Sequence, residues 1–289
     1  MCSYASVWRA KPCDPKNQTG QCSFSPGQKK TGRLAIIGLG PGRREHFTLR
    51  ALQVLEESEV IVGYERYLAL IKDFWPGRKV LASGMRKELD RCWQAIALAR
   101  QGMRVALVCG GDCGIYGLAG PALELLLSQP KGPDEDDEIE VEIVPGLSAI
   151  SAAASVLGAP LMNDLAIISL SDLLIPWPVI KKRLEAAAYA DFVTALYNPK
   201  SKHRTEQILE AQAIFLQFQP PKTPVGIVHN ALRDEERKII TTLDEFTQHE
   251  ISMLSLIIIG NSKTRIIGGN MITPRGYEIK DTELKDTKC

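Results

Sequence analysis

The sequence predicts an α/β protein assembled from two α/β halves in tandem. Three observations point there. Short apolar runs stop abruptly at glycine or small polar residues. Amphipathic stretches with helical spacing lie between them. After a break at Gly158–Asn163 the same rhythm starts again. Sheets of this kind are covered by helices on both sides, so their strands are nearly continuously apolar.

The elements follow in order. Residues 1–31 are rich in Lys, Gln, Ser, Gly and Pro without periodicity, the composition of a flexible extension. Leu34-Ala35-Ile36-Ile37 stops at Gly38 and reads as a buried strand. Thr48 precedes Leu49, Leu52 and Leu55, spaced as the buried face of a helix that Thr48 caps. Glu59 to Val62 is extended. Glu88 to Arg100 is helical, with Leu89, Trp93, Ile96 and Ala97 on one face and Gly102 past its end. Val105 to Val108 is a strand, Leu118 to Leu127 a helix, Ile139 to Val144 a strand, and Ser148 to Leu157 a helix that Gly158 stops. Beyond the break, strands fall at Leu165–Leu170, Phe192–Tyr197, Val225–Val228 and Leu254–Ile259, and helices at Val179–Ala188 and Thr205–Phe218. Lys238–Thr242 adds a strand outside the simple alternation. Two domains are expected, residues 32–160 and 161–289.

The chain has 289 residues, 45% of them hydrophobic and 24% charged, enough apolar material for a sizeable core. Its 35 basic and 34 acidic residues leave a net charge of +1, which gives no broad electrostatic case for nucleic acid or an acidic membrane. The acidic run Asp134–Glu142 is a solvated loop leading into a strand. No apolar run is long enough to span a bilayer, and the N-terminus lacks the order of a signal peptide, so a cytoplasmic protein is expected. Seven cysteines suit that compartment as thiols. Cys2, Cys13 and Cys22 lack zinc-site spacing, there is no Cys-x-x-Cys, and no metal site is expected.

Ligands of open α/β sheets bind beyond the carboxyl ends of the strands, which directs attention to four segments. The first is Gly38-Leu39-Gly40-Pro41-Gly42, where glycines let backbone approach a ligand. It is an incomplete dinucleotide fingerprint: the third glycine would fall at Arg43, and the second strand runs into Gly63-Tyr64 without the ribose-binding acid. A dehydrogenase or other nucleotide-binding module is thereby disfavoured. The second is Gly110-Gly111-Asp112-Cys113-Gly114-Ile115-Tyr116-Gly117, a loop able to wrap a small cationic ligand or a ribose. Asp112 as a helix cap is the competing explanation. The third is Val144-Pro145-Gly146-Leu147-Ser148-Ala149, whose helix start could hold a carboxylate on free amides, or which Ser148 simply caps. The fourth gathers Ser169-Leu170-Ser171-Asp172, Tyr197-Asn198-Pro199 and His229-Asn230-Ala231. No catalytic triad or metal motif emerges. The site is built to bind and orient, with the reactive group brought by a cofactor.

Taken together these segments resemble the tetrapyrrole (class III) S-adenosylmethionine-dependent methyltransferases. The Gly-x-Gly-Pro-Gly opening and the Gly-Gly-Asp loop carry the resemblance to the family. Further segments resemble the branch that methylates C-17 of precorrin-3B or cobalt-factor III with ring contraction, in cobalamin biosynthesis. These are Val62-Gly63-Tyr64 with Tyr67, Ser83-Gly84-Met85-Arg86, Ser169 to Leu174 running into Pro176-Trp177, Leu196 to Pro199 with Ser201, and Ile272 to Tyr277. The resemblance spans residues 33–277. It implies two α/β domains enclosing a cofactor cleft, in a homodimer, with S-adenosylmethionine as methyl donor and the tetrapyrrole as substrate. It further implies that Gly111, Asp112, Ile115, Ser148, Ala149, Tyr197, Asn198 and Ala231 bind the cofactor. Pro41, Gly42, Ser171 and Asp172 would face the substrate.

The expected chemistry is mostly positioning. Ring contraction also moves protons, and Asp112, Asp172 and His229 are the acid/base candidates. Arg43, Arg44, Arg204 and Arg275 are candidates to pair with substrate carboxylates. Cys113 stands where the family has other small residues, and a thiol there is expected to make activity sensitive to oxidation. A methyltransferase of the same fold acting on another tetrapyrrole carbon is the remaining alternative.

Overall fold

A computed structural model describes residues 31–85, 87–128 and 139–277. Cys2, Cys13, Cys22, Arg86, residues 1–30 of the expected extension and most of the acidic run lie outside the described residues.

The first sheet holds β1 (Arg33–Gly38), β2 (Val60–Tyr64), β3 (Lys79–Ser83), β4 (Arg104–Cys109) and β5 (Glu140–Val144). Its order is β3-β2-β4-β1-β5 and every pairing is parallel. Alternate side chains serve opposite faces. Leu34, Ile36, Val60, Val62, Val105 and Leu107 pack under α3 (Glu88–Arg100) and α4 (Ala119–Leu127). Ala35, Ile37, Ile61, Ala106 and Val108 pack under α1 (Leu49–Glu57) and α2 (Glu65–Ile71).

Helix α5 (Ala149–Leu157) follows, and Gly158, at φ 127°, ends it. Its Ile150, Ala153, Ala154 and Leu157 pack on the second sheet, so this helix links the halves through its own apolar face. Then come β6 (Gly158–Ala159), β7 (Leu165–Ser169), α6 (Trp177–Tyr189), β8 (Val193–Tyr197), α7 (Glu206–Phe215), β9 (Pro224–His229), β10 (Arg237–Thr242) and β11 (Ser255–Ile259). The second sheet has the order β10-β9-β11-β8-β7. Only β7 and β8 run parallel; β11 and β10 are antiparallel to their neighbours. Helices α6 and α7 cover its other face. Finally β12 (Arg265–Ile267) and β13 (Asn270–Ile272) form a hairpin, and β13 pairs with β6.

Several expectations shift. Leu49 is 79% exposed, and α1 instead buries Ala51, Val54 and Leu55. Leu89, Trp93 and Ala97 of α3 are exposed, because Arg91, Cys92, Ala95, Ile96 and Ala99 form its inner face. The helix expected to Phe218 stops at Phe215. Helix α2 and strands β3, β6, β12 and β13 were not anticipated: each is short, and β3 and β12 are largely exposed, so neither leaves a clear apolar pattern.

Candidate active site

The carboxyl ends of β4, β1 and β5 lie side by side, and three loops meet there. Gly40 and Gly111 exchange two backbone hydrogen bonds of 3.0 and 2.9 Å. A Cβ on Gly146 would lie 2.3 Å from the Gly111 carbonyl oxygen and 2.4 Å from that of Gly38. Only glycine lets these loops close on one another. Asp112 braces them: Oδ1 accepts from the Gly114 amide at 2.8 Å and Oδ2 from the Gly146 amide at 3.0 Å. It does not cap the following helix, which starts at Ala119 without a side-chain cap. Cys113 is 1% exposed, burial pushes its thiol up to about 11, and its Sγ faces the Val144 carbonyl. That seals the thiol from oxidants and overturns the expected oxidation sensitivity.

The start of α5 is where the halves meet. Ser148 Oγ accepts from the Ser151 amide at 3.3 Å, and the Tyr197 hydroxyl accepts from the Ile150 amide at 3.0 Å. Two of the amides that sequence reasoning left for an anionic ligand are thus bound within the protein; the Ala149 amide takes no part in these bonds. The ring of Tyr116 lies 5.3 Å from that of Tyr197, and its hydroxyl donates to the Ile167 carbonyl at 3.1 Å. Burial raises both phenols, which are neutral at physiological pH. Tyr116, missed in the sequence, takes a positive φ of 52° in the glycine-rich loop.

In the second sheet, Asn198 at φ 49° donates from Nδ2 to Ser169 Oγ at 3.0 Å, and the same oxygen accepts from the Ser171 amide. Asp172 accepts from Gln207 Nε2 at 2.9 Å. Ala231 is half-buried in the apolar cluster that also holds Tyr197. His229 shares the strand parity of Val225 and Ile227, on the side of α6 and α7, and is 3% exposed. Its Nδ1 pairs with Ser255 Oγ at 3.0 Å while its Nε2 is buried without a partner.

The structure therefore brings Gly111, Asp112, Ile115, Ser148, Ala149, Tyr197 and Asn198 to one set of strand ends, and leaves His229 behind the sheet. Pro41 and Gly42 are buried: the Pro41 carbonyl accepts from Arg233 Nε at 2.7 Å, and a Cβ on Gly42 would strike Leu70. Of the arginines, Arg43 pairs with Asp234 at 2.6 Å and Arg44 is exposed. Arg204 is buried on the Asn198 carbonyl, which makes it a brace of that loop. Arg275 lies in a depression of about 400 Å³ with Leu161, Met162, Asn163 and Asp164, at the start of β7 and thus at the far end of the sheet from Ser171. Tyr67, Arg91 and Arg233 were not singled out as site residues. Arg91 is buried, binds Ser83 Oγ and the Gly84 carbonyl, and faces the Tyr64 ring at 5.7 Å.

This arrangement fits S-adenosylmethionine. The gathered residues include one carboxylate and one aromatic ring, beside which Tyr116 adds a second, and no Lys or Arg, a set compatible with a sulfonium cation. Gly111, at φ 68°, leaves an open cradle in which the nearest atom to a would-be Cβ is the Ala149 nitrogen at 3.7 Å. Among the described residues no three His, Cys, Asp or Glu gather as a metal-ligand set, and no helix is long and apolar enough to cross a membrane.

Residues 33–247 match the family described as Tetrapyrrole (Corrin/Porphyrin) Methylases. The chain belongs to this family of S-adenosylmethionine-dependent methyltransferases. It is 46% identical over 246 residues to a probable cobalt-factor III C(17)-methyltransferase of Salmonella typhimurium, covering 85% of this chain and 100% of that one. It is 47% identical over 251 residues to a cobalt-factor III methyltransferase of Priestia megaterium, covering 87% of this chain but 46% of that longer protein. The crystal structure of the methyltransferase CobJ superposes with a TM-score of 0.78 at 34% identity, over 84% of this chain and 100% of that one.

Proposed function

We propose that this protein methylates C-17 of cobalt-factor III, or of the metal-free precorrin-3B, with contraction of the macrocycle, in the cytoplasm and as a homodimer. The observation that carries this reading is the similarity, over 85% of this chain, to the full length of the Salmonella relative, whose name specifies the C-17 position and the cobalt-containing substrate. The cofactor supplies an electrophilic methyl group when bound. The chain's own residues do the holding. Gly111, Asp112 and Ile115 from the first half, Ser148 and Ala149 at the start of α5, and Tyr197, Asn198 and Ala231 from the second half form the cofactor cradle. The Pro41-Gly42 loop and Ser171-Asp172 flank the substrate. Residues 32–160 and 161–289 act as the two lobes. Orientation of reacting groups and exclusion of water supply the acceleration, a contribution of roughly 7–11 kcal/mol in well-oriented systems.

Among the acid/base candidates, Asp112 is held by two amides and His229 is buried behind the sheet. Asp172, half-buried and held through Oδ2 by Gln207 Nε2, is the group best placed to move a proton in the contraction step. The test is incubation of the purified chain and S-adenosylmethionine with cobalt-factor III and, separately, precorrin-3B, followed by mass and absorption spectra. A methylated, ring-contracted product from either supports the proposal, and conversion of neither overturns it. Light scattering tests the dimer: a monomer at working concentration removes that part of the reading.

A further inference from the structure

Residues 230–236 join β9 to β10, and three of them, Asn230, Leu232 and Glu235, have φ values of 49°, 58° and 59°. Leu strongly disfavours this left-handed region, and such a conformation persists only where its surroundings hold it. Here the Leu232 amide donates to Glu236 Oε2 at 2.6 Å and the Arg233 amide to the Asn230 carbonyl at 2.8 Å. The turn so formed directs Arg233 at the first half, where its Nε donates to the Pro41 carbonyl at 2.7 Å, in the glycine loop that follows β1. Tyr67 is its electrostatic neighbour, and the Tyr67 ring lies against Gly110, where a Cβ would come within 2.5 Å of it. Burial lowers the Arg233 pKa but leaves the guanidinium charged, and raises that of Tyr67, which is a neutral donor. Among the described residues neither Nη atom of Arg233 has a hydrogen-bond partner, and neither is sealed from solvent. A guanidinium fixed through Nε, with both Nη atoms free, presents the planar fork that takes a carboxylate end-on.

We propose that Arg233 is a specificity-determining residue that binds one peripheral carboxylate of the tetrapyrrole through its two Nη atoms, with the Tyr67 hydroxyl as a second donor. This rests on the tetrapyrrole reading of the function. The competing role is a tie between the halves, like the neighbouring Arg43–Asp234 pair.

The two roles separate in a binding experiment. Cobalt-factor III and its carboxylate-esterified form are titrated by absorption into the wild type and into Arg233→Ala, Arg233→Lys and Asp234→Ala, with S-adenosylhomocysteine affinity measured by calorimetry. Arg233→Ala is expected to weaken cobalt-factor III binding about tenfold or more, the loss of one charge-assisted pair. It should bind the ester as the wild type does and hold S-adenosylhomocysteine within about twofold of it. Arg233→Lys recovers part of the loss, and Asp234→Ala, which removes only the neighbouring tie, behaves as wild type. Unchanged binding of the acid form by Arg233→Ala overturns the proposal. So does a parallel loss for acid, ester and S-adenosylhomocysteine, reproduced by Asp234→Ala, which a tie alone would give. A wild type that binds neither cobalt-factor III nor precorrin-3B removes the functional reading itself, and this inference with it.

Discussion

The two halves solve the same problem with different materials. The first sheet is parallel throughout, so the carboxyl ends of its strands lie along one edge, and what it presents there is mostly backbone: Gly38, Gly40, Gly111 and Gly146, clamped by Asp112. The second sheet is mixed, so the same edge collects the ends of β7, β8 and β9 and the beginnings of β10 and β11. What it presents is side chains on left-handed residues and turns: Asn198, Arg233 and the Tyr197 ring. A parallel edge made of glycine is rigid and close-packed. A mixed edge with a hairpin offers more varied projections toward a substrate. On the proposed reading the cofactor cradle draws on both edges, backbone from the first and Tyr197 and Asn198 from the second, while the proposed specificity element, Arg233, comes from the second.

The largest expected effect breaks the rigid side. Gly146→Ala places a methyl group 2.3–2.4 Å from two carbonyl oxygens that cannot turn away. Gly226→Ala, in the second sheet, meets the branched end of Leu157, which can rearrange. Overpacking costs about 1–3 kcal/mol. Gly146→Ala should fall at the top of that range, lowering Tm by roughly 6–10 °C, and Gly226→Ala near the bottom. Thermal melts of both variants check the order; equal losses would mean that the glycine edge is no stiffer than the core behind the other sheet.

Asp112→Ala comes next, since it removes the brace from the second loop to Gly146 of the third and the bond to Gly114 that shapes the second loop itself. S-adenosylhomocysteine affinity should drop more than about tenfold, with Asp112→Asn, which keeps one acceptor oxygen, between it and wild type. Titration calorimetry indistinguishable from wild type for the alanine variant would detach Asp112 from the cofactor cradle.

This contrast also explains what could be read from the sequence. The long buried strands and the helices between them were visible because burial on both faces demands unbroken apolar runs, as in Ile36-Ile37 or Ile257-Ile258-Ile259. The parallel edge was visible too, because close backbone approach requires glycine and the sequence displays it. The faces of α1 and α3 were misjudged because small residues, Ala51, Ala95 and Ala99, form the contact where helix and sheet approach closely, while Leu49 and Trp93 lie outside. The mixed edge was less legible. Arg233 has no sequence signal, since its direction depends on left-handed Leu232 and on a carbonyl 192 residues away. His229 was legible as a candidate base by its chemistry alone, and only strand parity shows it buried behind the sheet with Nδ1 on Ser255.

A smaller effect probes the junction. Tyr197→Phe leaves the Ile150 amide without its acceptor but keeps the ring beside Tyr116. A loss of about 1 kcal/mol is expected, or about 2–4 °C in Tm. S-adenosylhomocysteine affinity should change less than about threefold, because the backbone cradle is untouched. A collapse of binding in this variant would place the decisive cofactor interaction at the Tyr197 hydroxyl rather than on the glycine edge.

The smallest effect separates the halves by pH. At the edge of the first sheet, Glu142 accepts from Arg50 Nε and Nη2 at 2.6 and 2.8 Å and is paired with Arg33 as well. The Arg50 hydrogen bond, then that of Arg33, holds its carboxyl below the usual range. A folded-state pKa below the unfolded one gives stability that is full above the unfolded value, near 4.3 for Glu in general, and is lost as pH falls through the folded value. Arg50 is partly exposed, so solvent screening limits the contribution to roughly 1 kcal/mol. Glu142→Gln should therefore be less stable than wild type at neutral pH, and the difference should close as pH falls below the ordinary carboxylate range. In the second half, Thr242 and then Lys222 hold the Asp244 carboxyl below its usual range as well, but Lys222 is exposed and the pair is screened by solvent, so Asp244→Asn should change the pH profile of stability in the same direction and by less. Denaturant melts across pH for both variants check this. A pH-dependent loss in Asp244→Asn comparable to that in Glu142→Gln would show that acid lability is shared between the sheets rather than held at the parallel one.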